Sequence, residues 1–425
     1  MNLAICLLCI ILVPLATAGL ALIHQGLGRS RSAAHAMLAT LCALSVTAIV
    51  FVLIGFSWAG YPSGLAHAVQ LAGKHWDWLG AEPFFAAGLR SSLLQSPYAA
   101  LVLALQIFAV GLASLIPISA GSDRWRLASI CASSALLAAL FFPLFTHWVW
   151  GSGWLAQLTP LFGLPSFIDT GGAGVIQVIG GLTALSVAWI LGPRQGKYSD
   201  QVAAAIPGHN IVLVLFGCIL ALIGWIGLDS AASMLFYGIS AVQVVVIAIN
   251  VMLSAAGGCL AAVCITQLRY HKPDASLSAN GWIAGLVAGS AGAGLLSPLA
   301  TIFIGIVAGT LVTFLVEALE LRLFIDDPGG AISVHLGAGL WGLVAFGIFG
   351  PATGSRSALL LAQLIGIATL LGVMLPLIHI SHLLLNKLVR FRVDKDGDWQ
   401  GMDIRELGAG AYPEFLVHAD EFVPR

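Results

Sequence analysis

Two polar side chains occupy equivalent positions in a repeated sequence pattern. Residues 169–177 read Asp-Thr-Gly-Gly-Ala-Gly-Val-Ile-Gln, and residues 327–335 read Asp-Pro-Gly-Gly-Ala-Ile-Ser-Val-His. In both stretches Gly-Gly-Ala follows an aspartate, and a polar side chain, Gln177 or His335, stands eight positions after that aspartate. An imidazole can bind and release a proton near neutral pH, whereas an amide only donates and accepts hydrogen bonds. The pair therefore predicts hydrogen bonding with a single titratable partner.

Both side chains would lie deep in a membrane if the two stretches open transmembrane helices. Eight residues of helix rise by about 12 Å, which places Gln177 and His335 well inside the apolar layer. Because lipid leaves polar groups unsatisfied, such side chains face the protein interior or a wet pathway. We expect the two to approach each other and to line a pore. The alternative is separate hydrogen bonds in a core packed tightly by the nearby glycines.

The composition requires a membrane protein. Of the 425 residues, 59% are hydrophobic and 9% are charged, and there are 49 glycines besides. Soluble domains are about 25% charged, and a globule of the present composition could not cover its surface with polar atoms. A soluble enzyme, a nucleic-acid binder and a disordered scaffold are therefore excluded. The cysteines lie in apolar stretches without metal-like clustering apart from Cys6 and Cys9, which we interpret as one turn of a membrane helix, so we expect no disulfide, metal or cofactor.

Eleven apolar runs are long enough to cross a bilayer, which takes about 20 residues each. The first run lacks a basic start and stays apolar past a signal-peptidase-like Ala16-Thr17-Ala18, so we interpret it as a helix and not as a cleaved signal peptide. The fold class predicted is an all-α polytopic membrane protein with 11 transmembrane helices. The spans are 3–27, 36–58, 97–119, 127–149, 170–192, 209–228, 236–267, 279–297, 299–321, 333–350 and 358–385.

The basic residues indicate the orientation. With the N-terminus outside, 15 of the 18 Lys and Arg fall on the cytoplasmic side, and only Lys74, Arg90 and Arg356 remain outside. This asymmetry follows the positive-inside rule. It predicts an N-out, C-in protein of the cell membrane.

The repeat also predicts how the chain is organised. Its two stretches lie five spans apart, and since five is odd, the two halves must have opposite topology. Inverted repeats place the substrate path near the midplane, at the interface of the halves. We expect a transmembrane domain over 1–386, with halves at about 1–192 and 209–350 and a last helix at about 358–385, followed by a cytoplasmic tail over 387–425.

Short motifs are spread along nearly the whole chain. They are Gly19-Leu-Ala-Leu-Ile-His-Gln-Gly26, His147-Trp-Val-Trp-Gly151, Gly192-Pro-Arg-Gln-Gly-Lys-Tyr198, Gly208-His-Asn210, Gly224-Trp-Ile-Gly-Leu-Asp229, Asp326-Asp-Pro328 and Gly401-Met-Asp-Ile-Arg-Glu406. Each motif is weak by itself, but their order together with eleven spans is specific. In this arrangement the chain resembles the Amt/Mep/Rh ammonium transporter family, in its bacterial Amt branch.

The resemblance implies a homotrimer with one narrow, mostly apolar pore for ammonium or ammonia in each subunit, and a PII-type signalling protein as a possible cytoplasmic partner. Trp150 matches the family's outer cation-binding tryptophan, whose ring face would attract a cation by roughly 0.5–2 kcal/mol. An ordinary interfacial tryptophan is the alternative. Asp169 matches the family's buried aspartate, which would cap helix 5, contact the substrate, or do both.

The chain departs from the family pattern where the pore chemistry is expected. Gln177 stands in place of the first of two midplane histidines, while His335 is retained, so a proton relay through both side chains is doubtful. The gate phenylalanines are replaced by Leu105 and Leu228, with Phe108 one turn from the first. Asp229 stands where the family usually has Asn; at an outward helix end it would either restore cation affinity by its charge or pair with a neighbour. The vestibule hydroxyl aligns with Ala232, beside Ser233 and Ser230.

The sequence leaves three functions to compare. The first is ammonium or ammonia transport with a modified gate and proton relay. The second is an ammonium sensor or receptor with weak or no transport, and the third is a channel for another small neutral solute. In the tail, Glu406-Leu407-Gly408-Ala409 departs from the family's Glu-His-Gly-Glu, which weakens the expectation of PII docking. An enzyme is not expected, because no nucleophile–base pair or metal set is apparent.

Overall fold

The computed structural model describes residues 2–89, 96–199, 202–352 and 354–412. Within these ranges, ten helices are long and apolar enough to cross a membrane, and one shorter helix follows the seventh. We number them α1 (Leu3–Leu27), α2 (Ser30–Ala59), α3 (Tyr98–Ala120), α4 (Leu127–Val149), α5 (Ala173–Leu191), α6 (Ile211–Tyr237), α7 (Ala241–Tyr270), α8 (Ala275–Gly289), α9 (Pro298–Leu321), α10 (Ile332–Phe349) and α11 (Arg356–Leu388).

Helix α8 is shorter than the span predicted at 279–297. It has 15 residues and ends at Gly289, and the chain from Ser290 to Ser297 is irregular. Glycine-rich sequence is a poor helix former, and the backbone of this segment bonds elsewhere: Thr170 N donates to Ala291 O at 3.1 Å, and Gly171 N to Ser290 O at 2.7 Å. The count of eleven complete spans therefore stays a prediction.

Helix α6 is longer than the span predicted at 209–228. It continues to Tyr237 and ends at Gly238, whose φ of +65° is the left-handed conformation typical of a helix C-terminus. The small residues after Leu228 continue the helix. Asp229 and Ser233 thus lie within a helix and are fully buried, so the expectation that Asp229 stands at an outward helix end is wrong.

The segment between α2 and α3 contains a β-hairpin that the all-helical interpretation did not anticipate. Strands β1 (Ala66–Leu71) and β2 (Lys74–Gly80) pair antiparallel, with Leu71 opposite Lys74. The two turn residues, Ala72 and Gly73, both have positive φ, as tight hairpin turns require. A second small sheet pairs β3 (Tyr198–Ser199) with β4 (Val202–Ala203).

The helices connect two opposite ends of the molecule. Helix α2 leads directly into the hairpin, and Trp148 near the end of α4 donates its indole N–H to Trp78 O of β2 at 2.9 Å; we call this end the hairpin face. At the other end, residues after α11 pack against the starts of α2 and α4, where Asp403 accepts from His35 N at 2.8 Å and Glu406 from Leu127 N at 2.7 Å. We call this end the tail face.

The tail itself is folded as far as it is described. Trp125 and Arg392 form an isolated antiparallel bridge, and the short helices Lys395–Gln400 and Asp403–Leu407 follow. Another short helix, Leu158–Phe162, lies between α4 and α5. The main core is built from buried aliphatic and aromatic side chains of most of the long helices.

Candidate functional site

Helices α5 and α10 run in opposite directions, and glycines lie at the point where they cross. Helix α5 starts near the hairpin face and ends at the tail face, where Arg392 donates to Leu191 O. A Cβ built on Gly181 would lie 2.6 Å from Leu336 N, and one on Gly339 would lie 3.0 Å from Ala173 O. Because neither helix carries side chains at these points, the N-terminal parts of both lie side by side.

This crossing brings Gln177 and His335 together. The Nδ1 atom of His335 lies 2.7 Å from Oε1 of Gln177, and the two residues are 2% and 0% exposed, respectively. Since an amide oxygen can only accept, this contact places the ring hydrogen on Nδ1 and leaves the lone pair on Nε2. The Nε2 of Gln177 is buried without a hydrogen-bond partner in the described part of the chain. The predicted approach of the two side chains is confirmed.

The two helices also begin alike. Asp169 accepts from the N–H groups of Gly172, Gly174 and Val175 at 2.8–3.1 Å, and each helix opens with a π-helical segment, Ala173–Val178 or Ile332–Gly337. Such segments are frequent at functional sites. The interpretation of Asp169 as a helix cap is confirmed.

Asp327 repeats the arrangement on the other helix. Its carboxylate accepts from Ala331 N at 3.0 Å and Ile332 N at 2.7 Å. Burial raises the pKa of Asp169 to about 6, and that of Asp327 also to about 6, although the N–H donors stabilise both carboxylates. The starts of α5 and α10 are thus alike down to the capping carboxylate.

Trp150 lies beside the start of α5 and is sealed from solvent. It is 1% exposed, and its indole N–H donates to Asp169 O at 2.8 Å. The ring of Phe236 stacks on it, with centroids 4.5 Å apart and planes 12° from parallel. One ring face is therefore occupied by Phe236, so an incoming cation would have to reach the other face or displace Phe236.

Asp229 lies on α6, deeper in the protein than Trp150. It faces the residues just before α5 and the end of α8. The Ser290 hydroxyl lies 3.2 Å from Asp229 Oδ2 and 3.0 Å from Leu286 O, so its one proton is shared between these two acceptors, and the Trp225 indole donates to the same hydroxyl oxygen at 3.0 Å. The Oδ1 atom has no hydrogen-bond partner among the described residues. A Cβ on Gly171 would fall 2.1 Å from this oxygen, so only glycine fits beside it. Asp229 therefore pairs with Ser290 by one oxygen only.

The remaining predicted vestibule and gate residues separate into two groups. Leu105 and Leu228 are fully buried in the main core, while Phe108 is half-buried at its margin. Ser233 follows Asp229 by one helical turn, and its buried hydroxyl has no partner within the described ranges. Ser230, in contrast, lies against the Cys9 thiol of α1, so Ser233 is the hydroxyl on the Asp229 side of α6.

The tail-face entrance differs in its charge. A cavity of about 660 Å³ opens beside the start of α10, and its lining includes Arg194, Lys197, Asn280, Glu320 and Asp327. An adjoining pocket of about 10 Å³, enough for one water molecule, is lined in part by Ser333, whose buried hydroxyl is unpartnered within the described residues.

Two arginines hold the residue next to Asp327. Arg194 contacts Asp326 at 2.9 Å and Asp123 at 3.0 Å, and Arg124 lies 3.8 Å from Asp326. Burial alone would raise the pKa of Asp326, but the two guanidinium groups hold it well below its ordinary range. This end therefore carries paired charges.

The structure also shows contacts that sequence reasoning missed. Ser290 was assigned to a continuous helix, yet it bonds both Asp229 and the α5 entrance. Ser333 belongs to the repeated stretch 327–335, but the sequence pattern indicates no role for it. The Ser-Ala-Gly-Ala-Gly stretch at 290–294 was the available signal, because so many small residues after a helix mark its end or a close approach.

Ten long apolar helices within the described ranges, and a buried hydrogen-bonded pair where two antiparallel helices cross, define a multi-span membrane protein with a candidate solute path at that crossing. The sequence model of the Ammonium Transporter Family matches residues 4–412. The chain belongs to that family.

Individual relatives agree over nearly the full length. The chain is 32% identical over 439 aligned positions to the ammonium transporter Amt2 of Archaeoglobus fulgidus, covering 98% of this chain and 89% of the relative. It is 26% identical to an ammonium transporter of Bacillus subtilis, with 96% and 97% covered. Among solved structures it is similar to a protein named Sensor Amt Protein, with a TM-score of 0.85, 26% identity and 95% and 97% coverage.

The fold also matches a more distant solved structure. Mep2 of Candida albicans superposes with a TM-score of 0.79 over 92% of this chain and 86% of that one. At 22% identity this likeness supports the fold alone. The resemblance noted in the sequence motifs is thus confirmed.

Proposed function

We propose that this protein transports ammonium or ammonia across the plasma membrane through a narrow path in each subunit. The observation that carries the proposal is the buried Gln177–His335 hydrogen bond at the crossing of α5 and α10. Deep in an apolar layer, polar groups are retained only where they serve a solute or each other. The amide nitrogen of Gln177, which has no partner among the described residues, supports the former, because one donor stays free for a passing solute.

The path would begin at the hairpin face. Trp150, Asp169, Asp229 and Ser233 would form the outer site, where a carboxylate and an aromatic ring favour a cation. Leu105 and Leu228, with Phe108 at the margin, would form a dry constriction without π faces in the line of passage. Gln177 and His335 would orient the neutral solute at midplane by hydrogen bonds.

The assembly and the domain division belong to the same proposal. We expect a homotrimer with a transmembrane domain over 1–386 and a cytoplasmic tail over 387–425, the hairpin face lying outside. A PII-type protein remains a possible partner at the tail face. The contacts of Asp403 and Glu406 with the starts of α2 and α4 support a tail that stays on its own subunit.

The test is uptake and charge movement in proteoliposomes. We expect the purified protein to accelerate [¹⁴C]methylammonium uptake, and Trp150→Leu to reduce it by about tenfold, the effect of removing roughly 1.4 kcal/mol of cation binding. Currents on a solid-supported membrane would report any charge moved. Ammonium binding without uptake or current would favour a sensor instead, and absence of both would favour another small neutral solute.

A further inference from the structure

The carboxylate of Asp229 is the feature that the transport proposal leaves without a full explanation. The residue is completely buried, and within the described residues no Lys, Arg or His pairs with it. Removing a lone carboxylate from water costs several kcal/mol unless it gains a partner or a proton. Among the described residues, one oxygen receives only the Ser290 hydroxyl, whose proton is shared with Leu286 O, and the other oxygen has no partner.

The backbone around this oxygen cannot supply the missing donor. Three successive N–H groups lie at the α5 entrance, and all three are used: Thr170 N donates to Ala291 O, Gly171 N to Ser290 O, and Gly172 N to Asp169 Oδ1. The neighbouring carboxylate of Asp169 opposes a second unpaired negative charge in the same place. Asp229 is therefore built to receive a proton or a small cation.

The apolar interior beyond Asp229 favours a proton over a small cation as the species that Asp229 receives. The next residue toward the tail face on the same helix is Leu228, and Leu105 is buried in the same core. A cation that entered this dry region would pay the cost of an unpaired buried charge, whereas neutral ammonia would not. At midplane, Gln177 presents an amide, which cannot take up a proton.

We propose that Asp229 is the proton acceptor for ammonium at the outer end of the path; this inference rests on the proposed transport function. One N–H bond of ammonium breaks, its electron pair stays on nitrogen, and the proton bonds to Asp229 Oδ1. Ammonia, or methylamine from methylammonium, moves on past the leucines. The proton then leaves to the outer solution and restores the carboxylate, so the net substrate is the neutral amine, and only cations with a transferable proton can be carried.

The test compares uptake kinetics of Asp229→Asn with those of the full-length wild type, using [¹⁴C]methylammonium and proteoliposomes. Asn keeps the size and the hydrogen bond from Ser290 but cannot accept the proton. Removal of a general base costs about 10²-fold or more, so we expect the maximal uptake rate to fall by at least about tenfold, with the half-saturating concentration changed less than about threefold. Asp229→Glu should recover part of the rate.

Controls separate this inference from the proposed function. Asp396→Asn changes an exposed tail carboxylate and should behave as wild type. If Asp229→Asn does not elute from a size-exclusion column as the wild type does, Asp229→Ser replaces it. Its maximal uptake rate and half-saturating concentration are then compared with those of the wild type. An unchanged maximal rate, or a loss confined to the half-saturating concentration, overturns the inference while transport stands. Absence of methylammonium uptake by the wild type overturns both the inference and the proposed transport function.

Discussion

The two ends of the candidate path share one backbone plan but differ in charge. At the hairpin face Asp169 caps α5, and at the tail face Asp327 caps α10, with the same kind of N–H bonds and with both pKa values raised to about 6 by burial. Around Asp169 the further groups are Trp150 stacked on Phe236 and the carboxylate of Asp229, whose Oδ1 has no partner among the described residues. The inverted repeat therefore explains the scaffold and not the difference between its ends.

At the tail face the neighbours are buried ion pairs beside a wide cavity. Asp326 is held by Arg124 and Arg194, and Lys197 bonds Glu320 beside a cavity of about 660 Å³. On the proposed path, the closed, anionic end would strip and bind a cation, whereas the wide end with balanced charge would release a neutral solute into water. The chemical difference between the two ends therefore comes from residues outside the repeated stretches 169–177 and 327–335.

The largest expected effect comes from breaking the ionic end. Arg194→Met leaves Asp123 and Asp326 without their shared partner, and a buried charge left unpaired costs about 3–5 kcal/mol of stability. We expect a marked loss of unfolding free energy in detergent, measured by denaturant titration. Arg269→Ala, which removes the exposed pair with Glu317, is the control and should change stability far less. Equal losses in both variants would contradict the assignment of buried pairing to the tail face.

The next effect concerns the midplane, where the two halves differ by one side chain. Gln177→His would place a second titratable ring against His335, and we expect the charge moved per ammonium to rise above wild type on a solid-supported membrane. His335→Ala should lower methylammonium uptake by about tenfold, equal to the loss of roughly 1.4 kcal/mol. Gln157→His, outside the crossing, serves as the control for the first variant. Unaltered current in Gln177→His would remove Gln177 from the path.

The sequence predicts contacts between the two repeated stretches, but it does not predict the contacts made by residues outside them. The pairing of Gln177 with His335 could be predicted, because equivalent positions in an inverted repeat must meet near its axis. The environment of Asp229 could not, since it depends on Ser290, which lies 61 residues further along the chain where a helix ends early. The hairpin was missed as well, because hydropathy finds membrane spans and gives no signal for a short exposed sheet between them.

The smallest expected effect tests what the two entrances share. Each capping aspartate has a folded-state pKa of about 6, above its unfolded value, so the folded state binds more protons between about pH 4 and 6. Stability from these groups is therefore greatest at low pH and falls as the pH rises through that window. Asp169→Asn and Asp327→Asn keep a capping side chain and abolish the titration.

Relative to each variant, the wild type should lose about 1–2 kcal/mol between pH 5 and pH 7, one pKa unit being worth about 1.4 kcal/mol. Unfolding titrations at both pH values measure the difference. Asp326→Asn supplies the contrast, since the lowered pKa of Asp326 makes its contribution largest at neutral pH and lost only in acid. The pH dependence of the unfolding free energy could instead differ between the two capping variants as much as it differs between them and Asp326→Asn. The two ends would then share backbone geometry but not the energetics of their aspartates, and the repeat would constrain only the backbone.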